Sequence, residues 1–138
     1  MTNGPTSVSQ VVYVVDDEAP IQLSLKALLG TWGIAAIVFS SAAAFWNSYR
    51  DEWTGCVLVD LRMPGESGLV LLKKLQQRRG ALIAILMTGH GEEESQRQAI
   101  ECGAIGILEK PFRPSQLKGL LEHHCPELFC GVKSTSDS

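Results

Sequence analysis

A doubly wound α/β fold, five parallel strands alternating with five helices, is what this sequence predicts. Three observations predict it. Short apolar runs rich in valine, isoleucine and leucine recur along the chain, and each reads as a strand buried on both faces. Stretches with helical apolar spacing separate them, so consecutive parallel strands are joined by right-handed crossovers. Several strands end in a carboxylate, a hydroxyl or a lysine, and such residues point out of the carboxyl edge, where open α/β sheets place their ligands.

Val11–Val15 is the first strand and runs into Asp16-Asp17-Glu18. Ala19-Pro20 opens a helix, with proline in the first turn where its missing N–H does no harm. Ile21, Leu25, Leu28, Leu29 and Trp32 recur at helical spacing, and Gly33 supplies the stop. Ile34 to Phe39 reads as the second strand. Ser40 or Ser41 caps a helix carrying Ala42, Phe45, Trp46 and Tyr49. The third strand, Cys56–Asp60, ends in a carboxylate just before the Pro64-Gly65 turn.

Leu69, Leu72 and Leu75 give the following helix an apolar stripe, with Lys73, Lys74 and residues 76–79 on its wet side. Ala81 to Met87 is a fourth buried strand, ending in Thr88-Gly89-His90-Gly91. The helix over Glu92 to Glu101 has few large apolar residues, chiefly Ala99 and Ile100, and is the least firmly anchored. Ala104 to Leu108 is the fifth strand, followed by Glu109-Lys110-Pro111-Phe112. Pro114-Ser115 starts a last helix that buries Leu117, Leu120 and Leu121. Residues 1–9 read as a flexible leader, 10–125 as one domain, and 126–138 as a C-terminal tail or linker.

Composition limits the function classes. The chain has 138 residues, 45% hydrophobic and 20% charged, a globular composition with enough apolar residues for one core. A formal charge of −3 with no basic stripe argues against nucleic-acid contact within these residues. No helix-turn-helix pattern occurs in them. Cys56, Cys102, Cys125 and Cys130 form no CxxC pair, and Cys56 and Cys102 read as packed thiols. The N-terminus lacks an apolar signal core and no run approaches the ~20 residues of a membrane span, so a cytoplasmic location without membrane contact is expected.

At the shared carboxyl edge the strands deliver Asp16, Asp17, Asp60, Thr88 and Lys110. Crowded carboxylates repel each other unless a cation sits among them. Mg²⁺ suits the set because it takes one or two carboxylates, keeps waters and leaves room for a phosphoryl oxygen; Mn²⁺ is a chemical substitute. Asp17 and Asp60 are expected to hold the metal directly, Asp16 through water, with the backbone carbonyl of Arg62 completing the protein ligands. Asp60 is expected to act as nucleophile and form an aspartyl phosphate. Lys110 would pair with one phosphoryl oxygen and Thr88 donate a hydrogen bond to another.

Val14-Val15-Asp16-Asp17-Glu18, Asp60-Leu61-Arg62-Met63-Pro64-Gly65, Thr88-Gly89 and Lys110-Pro111-Phe112 together resemble the receiver domain of two-component response regulators, over about residues 10–123. The resemblance implies a flavodoxin-like sheet of order 2-1-3-4-5. It implies phosphorylation of Asp60 from a histidine kinase or phosphotransfer protein with Mg²⁺, and a cis Lys110-Pro111 bond. The chain would be a phosphoacceptor that catalyses its own phosphorylation and dephosphorylation, not an enzyme on a separate substrate. The Asp60 loop and the Lys110 ending are similar to receivers of LuxR-type regulators of transcription. Such domains switch partners, or pair with a second copy, through the face of the fourth helix, fifth strand and last helix.

One position departs from that family. Similar receivers carry Tyr or Phe three residues before the lysine, and here Ile107 stands there. A switch would therefore run through backbone and helix shifts, chiefly of the Glu92–Glu101 helix. Arg62 and His90 are candidates for tuning phosphate lifetime, with plain exposed loop residues as the alternative. His123 and His124 are placed to complement the dipole at a helix end. The competing enzyme reading is a small Mg²⁺-dependent phosphohydrolase with an aspartate nucleophile. It is disfavoured because Asp16-Asp17 are adjacent, where that chemistry uses Asp-x-Asp. A flavin binder would need a glycine- and hydroxyl-rich loop where this chain has carboxylates.

Overall fold

Alternate residues of a strand face opposite sides of a sheet, so strands that are apolar throughout need cover on both faces. The computed structural model, which describes residues 11–129, resolves this need with helices on both sides. The elements are β1 Val11–Val15, α1 Ala19–Thr31, β2 Ala35–Phe39, α2 Ala42–Ser48, β3 Cys56–Asp60, α3 Gly68–Gln76, β4 Ile83–Thr88, α4 Glu93–Glu101, β5 Gly106–Glu109 and α5 Pro114–His124. The sheet order is β2-β1-β3-β4-β5, and every pairing is parallel. The leader expected over residues 1–9 lies outside the described residues.

Tyr13, Val15, Val57, Val59, Ala84 and Leu86 face one side, where α2, α3 and α4 cover them with Phe45, Leu71, Leu72, Leu75 and Ala99. Val12, Val14, Cys56, Leu58, Ile85 and Met87 face the other, under Leu25 and Leu29 of α1 and Leu117 and Leu121 of α5. The tryptophans pack as expected. Trp53 stacks on Tyr13 with ring centroids 4.1 Å apart, and Trp46 Nε1 donates to Glu66 at 3.1 Å.

Local signals act where they were read. The Ser41 hydroxyl accepts the Ala44 N–H and caps α2. Gly33, at φ 77°, ends the α1 turn in a conformation that costs glycine little. Two helices differ in detail from the sequence expectation. The buried stripe of α3 is Leu71, Leu72 and Leu75, while Leu69 is only half-buried. On α4 only Ala99 is buried, and Ile100 points outward at 51% exposure.

The packed chain also extends past Pro126, where the composition suggested a tail or linker. Pro126–Phe129 forms a single 3-10 turn, Leu128 is fully buried against the α1/α5 layer, and Phe129 meets the Trp32 ring. Composition missed this because one leucine and one phenylalanine suffice to dock a turn. Leu128→Ala is expected to cost about 2–4 kcal/mol in urea unfolding, the usual penalty for a buried leucine. A midpoint equal to wild type would show the turn to be superficial.

Candidate functional site

The parallel sheet sends every strand end to one edge, and the register decides which side chains meet there. Asp16 follows β1, Asp60 is the last residue of β3 and pairs with Met87, and Thr88 is the last residue of β4 and pairs with Glu109. Lys110 follows β5, its backbone N–H donating to the Thr88 carbonyl at 2.7 Å. The Lys110-Pro111 peptide is cis, as the resemblance implied.

Carboxylate oxygens of Asp16, Asp17 and Asp60 lie within 4.8 Å of one another. Asp16 and Asp60 are buried and Asp17 is exposed. Lys110 Nζ crosses the edge to both buried acids, 2.9 Å from Asp16 Oδ2 and 3.0 Å from Asp60 Oδ1. It also stands 3.7 Å from Glu18 Oε1, a neighbour that the sequence reading did not place in the site. Asp16 Oδ1 accepts the Glu18 N–H at 2.9 Å, so both of its oxygens are engaged within the protein. Asp17, exposed, thereby has the more accessible carboxylate of the pair. Three hard oxygen donors in this space fit a divalent cation of the Mg²⁺ type.

The loop after β3 is held close to the acids. Gly68 N–H donates to the Leu61 carbonyl at 3.0 Å, and a Cβ at Gly68 would collide with the Asp60 backbone carbonyl. Gly65, at φ 82°, makes the turn that follows Pro64. Any side chain larger than hydrogen at position 68 would displace the backbone that carries Asp60.

The electrostatics follow from this crowding. Burial pushes the Asp60 carboxyl up to about 6 from the usual 3.8; the Lys110 hydrogen bond opposes the rise and the Asp16 charge adds to it. Burial alone would depress the Lys110 ammonium, but hydrogen bonds to Asp16 and Asp60 outweigh it and raise the pKa. Asp60 is thus a carboxylate under electrostatic pressure, relieved by any further positive charge.

The Arg62 and His90 side chains, expected to tune the site, are not drawn into it, whereas Thr88 stands at its strand end. The Arg62 side chain is 73% exposed and makes a two-pronged pair with Glu92, Nε to Oε2 at 3.0 Å and Nη2 to Oε1 at 2.9 Å. His90 is 97% exposed, with Nδ1 3.0 Å from Glu109 Oε2. Thr88 is fully buried, and its hydroxyl accepts from Gln96 Nε2 at 3.3 Å. Ile107 is half-buried against the α2/α3/α4 layer. Neither Gln96 nor Glu92 was legible as a site neighbour. Glu92 appears in the sequence only as an acid at a helix start, and Gln96 carries no motif.

An acid pair, a lone aspartate, a buried threonine and a lysine on a cis peptide, each at its own strand end, define a phospho-signalling domain of the flavodoxin-like receiver class. A family model for the response regulator receiver domain matches residues 12–122, and the chain belongs to that family. It is 37% identical over 111 residues to the transcriptional regulatory protein FixJ of Bradyrhizobium diazoefficiens, covering 80% of this chain and 54% of the relative. With the FixJ of Azorhizobium caulinodans the identity is 44% over 101 residues, covering 73% and 48%. The crystal structure of full-length FixJ from B. japonicum superposes with a TM-score of 0.79 at 35% identity, over 90% of this chain and 61% of that one. The chain therefore spans about half the length of the curated relatives it matches.

Two-component response regulation is the function this family membership carries, and the phosphohydrolase alternative is not favoured. Among the described residues no helix is long and apolar enough to cross a membrane.

In metal-free buffer, folded Asp60 keeps its proton up to about pH 6, whereas the unfolded chain releases it near 3.8. The folded state therefore binds more protons between those values, and its stability falls as pH rises through that window. Asp60→Asn is expected to exceed wild type by about 1–3 kcal/mol at about pH 7.5, with the gain fading towards about pH 4. Lys110 keeps Asp16 as partner in that variant. Urea melts at the two pH values check this; a gain independent of pH would contradict it.

Proposed function

We propose that Asp60 is the phosphoacceptor, taking a phosphoryl group from the phosphohistidine of a histidine kinase or phosphotransfer protein. A carboxylate oxygen of Asp60 forms the new P–O bond as the P–N bond of the donor breaks, leaving a mixed anhydride on the protein. The observation that carries this reading is the single ammonium of Lys110 placed 3.0 Å from Asp60 and only 19% exposed, where it can follow developing charge on a phosphoryl oxygen. Thr88 donates to a second oxygen. A divalent ion, Mg²⁺ or Mn²⁺, held by Asp17, Asp60, the Arg62 carbonyl and, through water, Asp16, would neutralise the remaining negative charge.

The raised proton affinity of Asp60 marks the same design. A carboxylate desolvated by burial, and pressed further by Asp16 and Glu18, is higher in energy than a free one, and transfer of a phosphoryl group onto it, with cation bound, redistributes that charge. Hydrolysis of the anhydride uses the same pocket, so phosphorylation and its loss are catalysed by the domain itself, with no separate product pool. Tuning of phosphate lifetime is proposed for Arg62 and His90, whose exposed side chains pair with Glu92 and Glu109. An apolar groove of about 600 Å³, lined by Ile21, Leu25, Leu28, Pro111 and Phe112, shares Lys110 with the pocket and is the surface we assign to the phosphohistidine-bearing donor.

Output is proposed to run through the face of α4, β5 and α5, either to a partner or to a second copy of the chain. The thin apolar anchorage of α4 supports this, as does its outward Ile100. Because the relatives it matches are transcriptional regulators, control of transcription is the proposed end point. Reaction with a kinase-borne phosphohistidine is assigned to the cytoplasm, a compartment in which the free thiols of Cys56, Cys102 and Cys125 stay reduced.

With acetyl phosphate and Mg²⁺, the wild type is expected to gain the mass of one phosphoryl group and Asp60→Asn none, by intact-mass spectrometry. Lys110→Met is expected to slow labelling roughly a hundredfold, the usual cost of one preorganised charge donor. Label retained by Asp60→Asn would move the acceptor elsewhere.

A further inference from the structure

Most helices here are held by apolar stripes, but α4 is not. Among its residues only Ala99 is buried, so its N-terminal half depends on polar ties to the carboxyl edge, while Gln76 of α3 donates to the Glu101 carbonyl at its other end. Two such ties stand out. Glu92, at the N-cap, is gripped by Arg62 from the loop after Asp60, but the Arg62 partner is 73% exposed and such a pair is worth little by itself. Gln96 reaches the Thr88 hydroxyl, which is fully buried.

Gln96 lies three residues before Ala99 and so shares the sheet-facing side of the helix. An apolar residue is the default at such a position. A carboxamide there must find a partner, and the partner it finds is the Thr88 oxygen. At 3.3 Å this bond is already at the long end for N–H···O, so a swing of the hydroxyl by about an ångström breaks it.

We infer that Gln96 couples Thr88 to α4, acting as the positioning residue through which the state of Asp60 reaches the helix, in place of the ring missing at Ile107. The inference rests on the reading of Thr88 as donor to a phosphoryl group on Asp60. Unphosphorylated, the hydroxyl oxygen accepts from Gln96 and keeps the first turns of α4 against β4. When an oxygen of the phosphoryl group offers an acceptor, the Thr88 side chain swings towards it to donate, and the swing carries the hydroxyl oxygen out of reach of the Gln96 amide. The amide, half-buried without a partner, turns towards water, and α4 loosens from its N-terminal half. By reciprocity, the same contact holds Thr88 back from the phosphoryl group, so its loss favours the phosphorylated geometry.

The test is hydrogen exchange of residues 93–101 with and without beryllofluoride and Mg²⁺, a mimic of the phosphoryl group, together with mimic affinity. In wild type the mimic is expected to speed α4 exchange about two- to tenfold, the range that one neutral hydrogen bond supports. Gln96→Met, similar in length and without the amide, is expected to show that faster exchange before any mimic is added and little further change after. It should also bind the mimic about two- to tenfold more tightly, the reciprocal of the same coupling. Thr88→Val is expected to raise α4 exchange in the free protein to the same level, and the double variant no further. Unchanged circular dichroism shows that each variant is folded.

A wild type that takes label on Asp60, with an α4 response that Gln96→Met leaves intact, overturns the coupling alone. So does mimic affinity unaltered by Gln96→Met. A wild type that neither takes label from acetyl phosphate nor responds to the mimic overturns the Asp60 reading, and the coupling with it.

Discussion

One ammonium holds the functional edge together. Lys110 Nζ lies within hydrogen-bonding reach of Asp16 and Asp60, acids that precede it by 94 and 50 residues and end two different strands. Without a cation between them the buried carboxylates would repel each other in a medium that screens charge poorly. The arrangement requires all strand ends to lie on the same side, which only a parallel sheet provides. It also requires the lysine to start from the strand after β4, because β5 lies two places from β3 in the sheet and a long side chain has to span the gap. The cis Lys110-Pro111 bond belongs to this same turn.

The rest of the molecule keeps that edge in place. β1, β3 and β4 are apolar on both faces, and the two helical layers seal them, so the three central strands cannot slip by one residue without burying a polar side chain or baring a core one. Gly68 ties the Asp60 loop to the start of α3, where backbone passes too close for any Cβ. The 3-10 turn at Pro126–Phe129 closes the base of the α1/α5 layer around Leu128. Rigid strands with short loops at their ends are the construction best suited to holding charged groups within an ångström of a reacting geometry.

Against that rigid frame α4 is an exception with a physical cause. Its sequence, Glu93-Glu94-Ser95-Gln96-Arg97-Gln98, has almost nothing to bury, and the helix leans on Arg62–Glu92, Gln96–Thr88 and a single buried alanine. The two ties at its N-terminal half originate beside residues of the acidic pocket, one in the loop after Asp60 and one at Thr88, and a third, from Gln76 of α3 to the Glu101 carbonyl, holds its other end. A helix anchored by groups that border the acidic pocket is tied to that pocket in a way that a helix anchored by leucines is not.

Much of this protein is determined by local sequence. Strand and helix alternation, the Ser41 cap, the Gly33 stop and the polar strand ends at Asp16, Asp60, Thr88 and Lys110 follow from periodicity and side-chain chemistry acting over a few residues. Membership in the receiver family was likewise legible, because its motifs sit one to a strand end. What only the tertiary structure decided involves partners far apart in the chain. Glu18 joining Lys110, Glu92 pairing with Arg62, Gln96 finding Thr88 and Leu128 docking under α5 all depend on how helices settle on the sheet. A carboxamide or a lone leucine has no local signature of its partner; the contact exists only once packing has brought the two surfaces together.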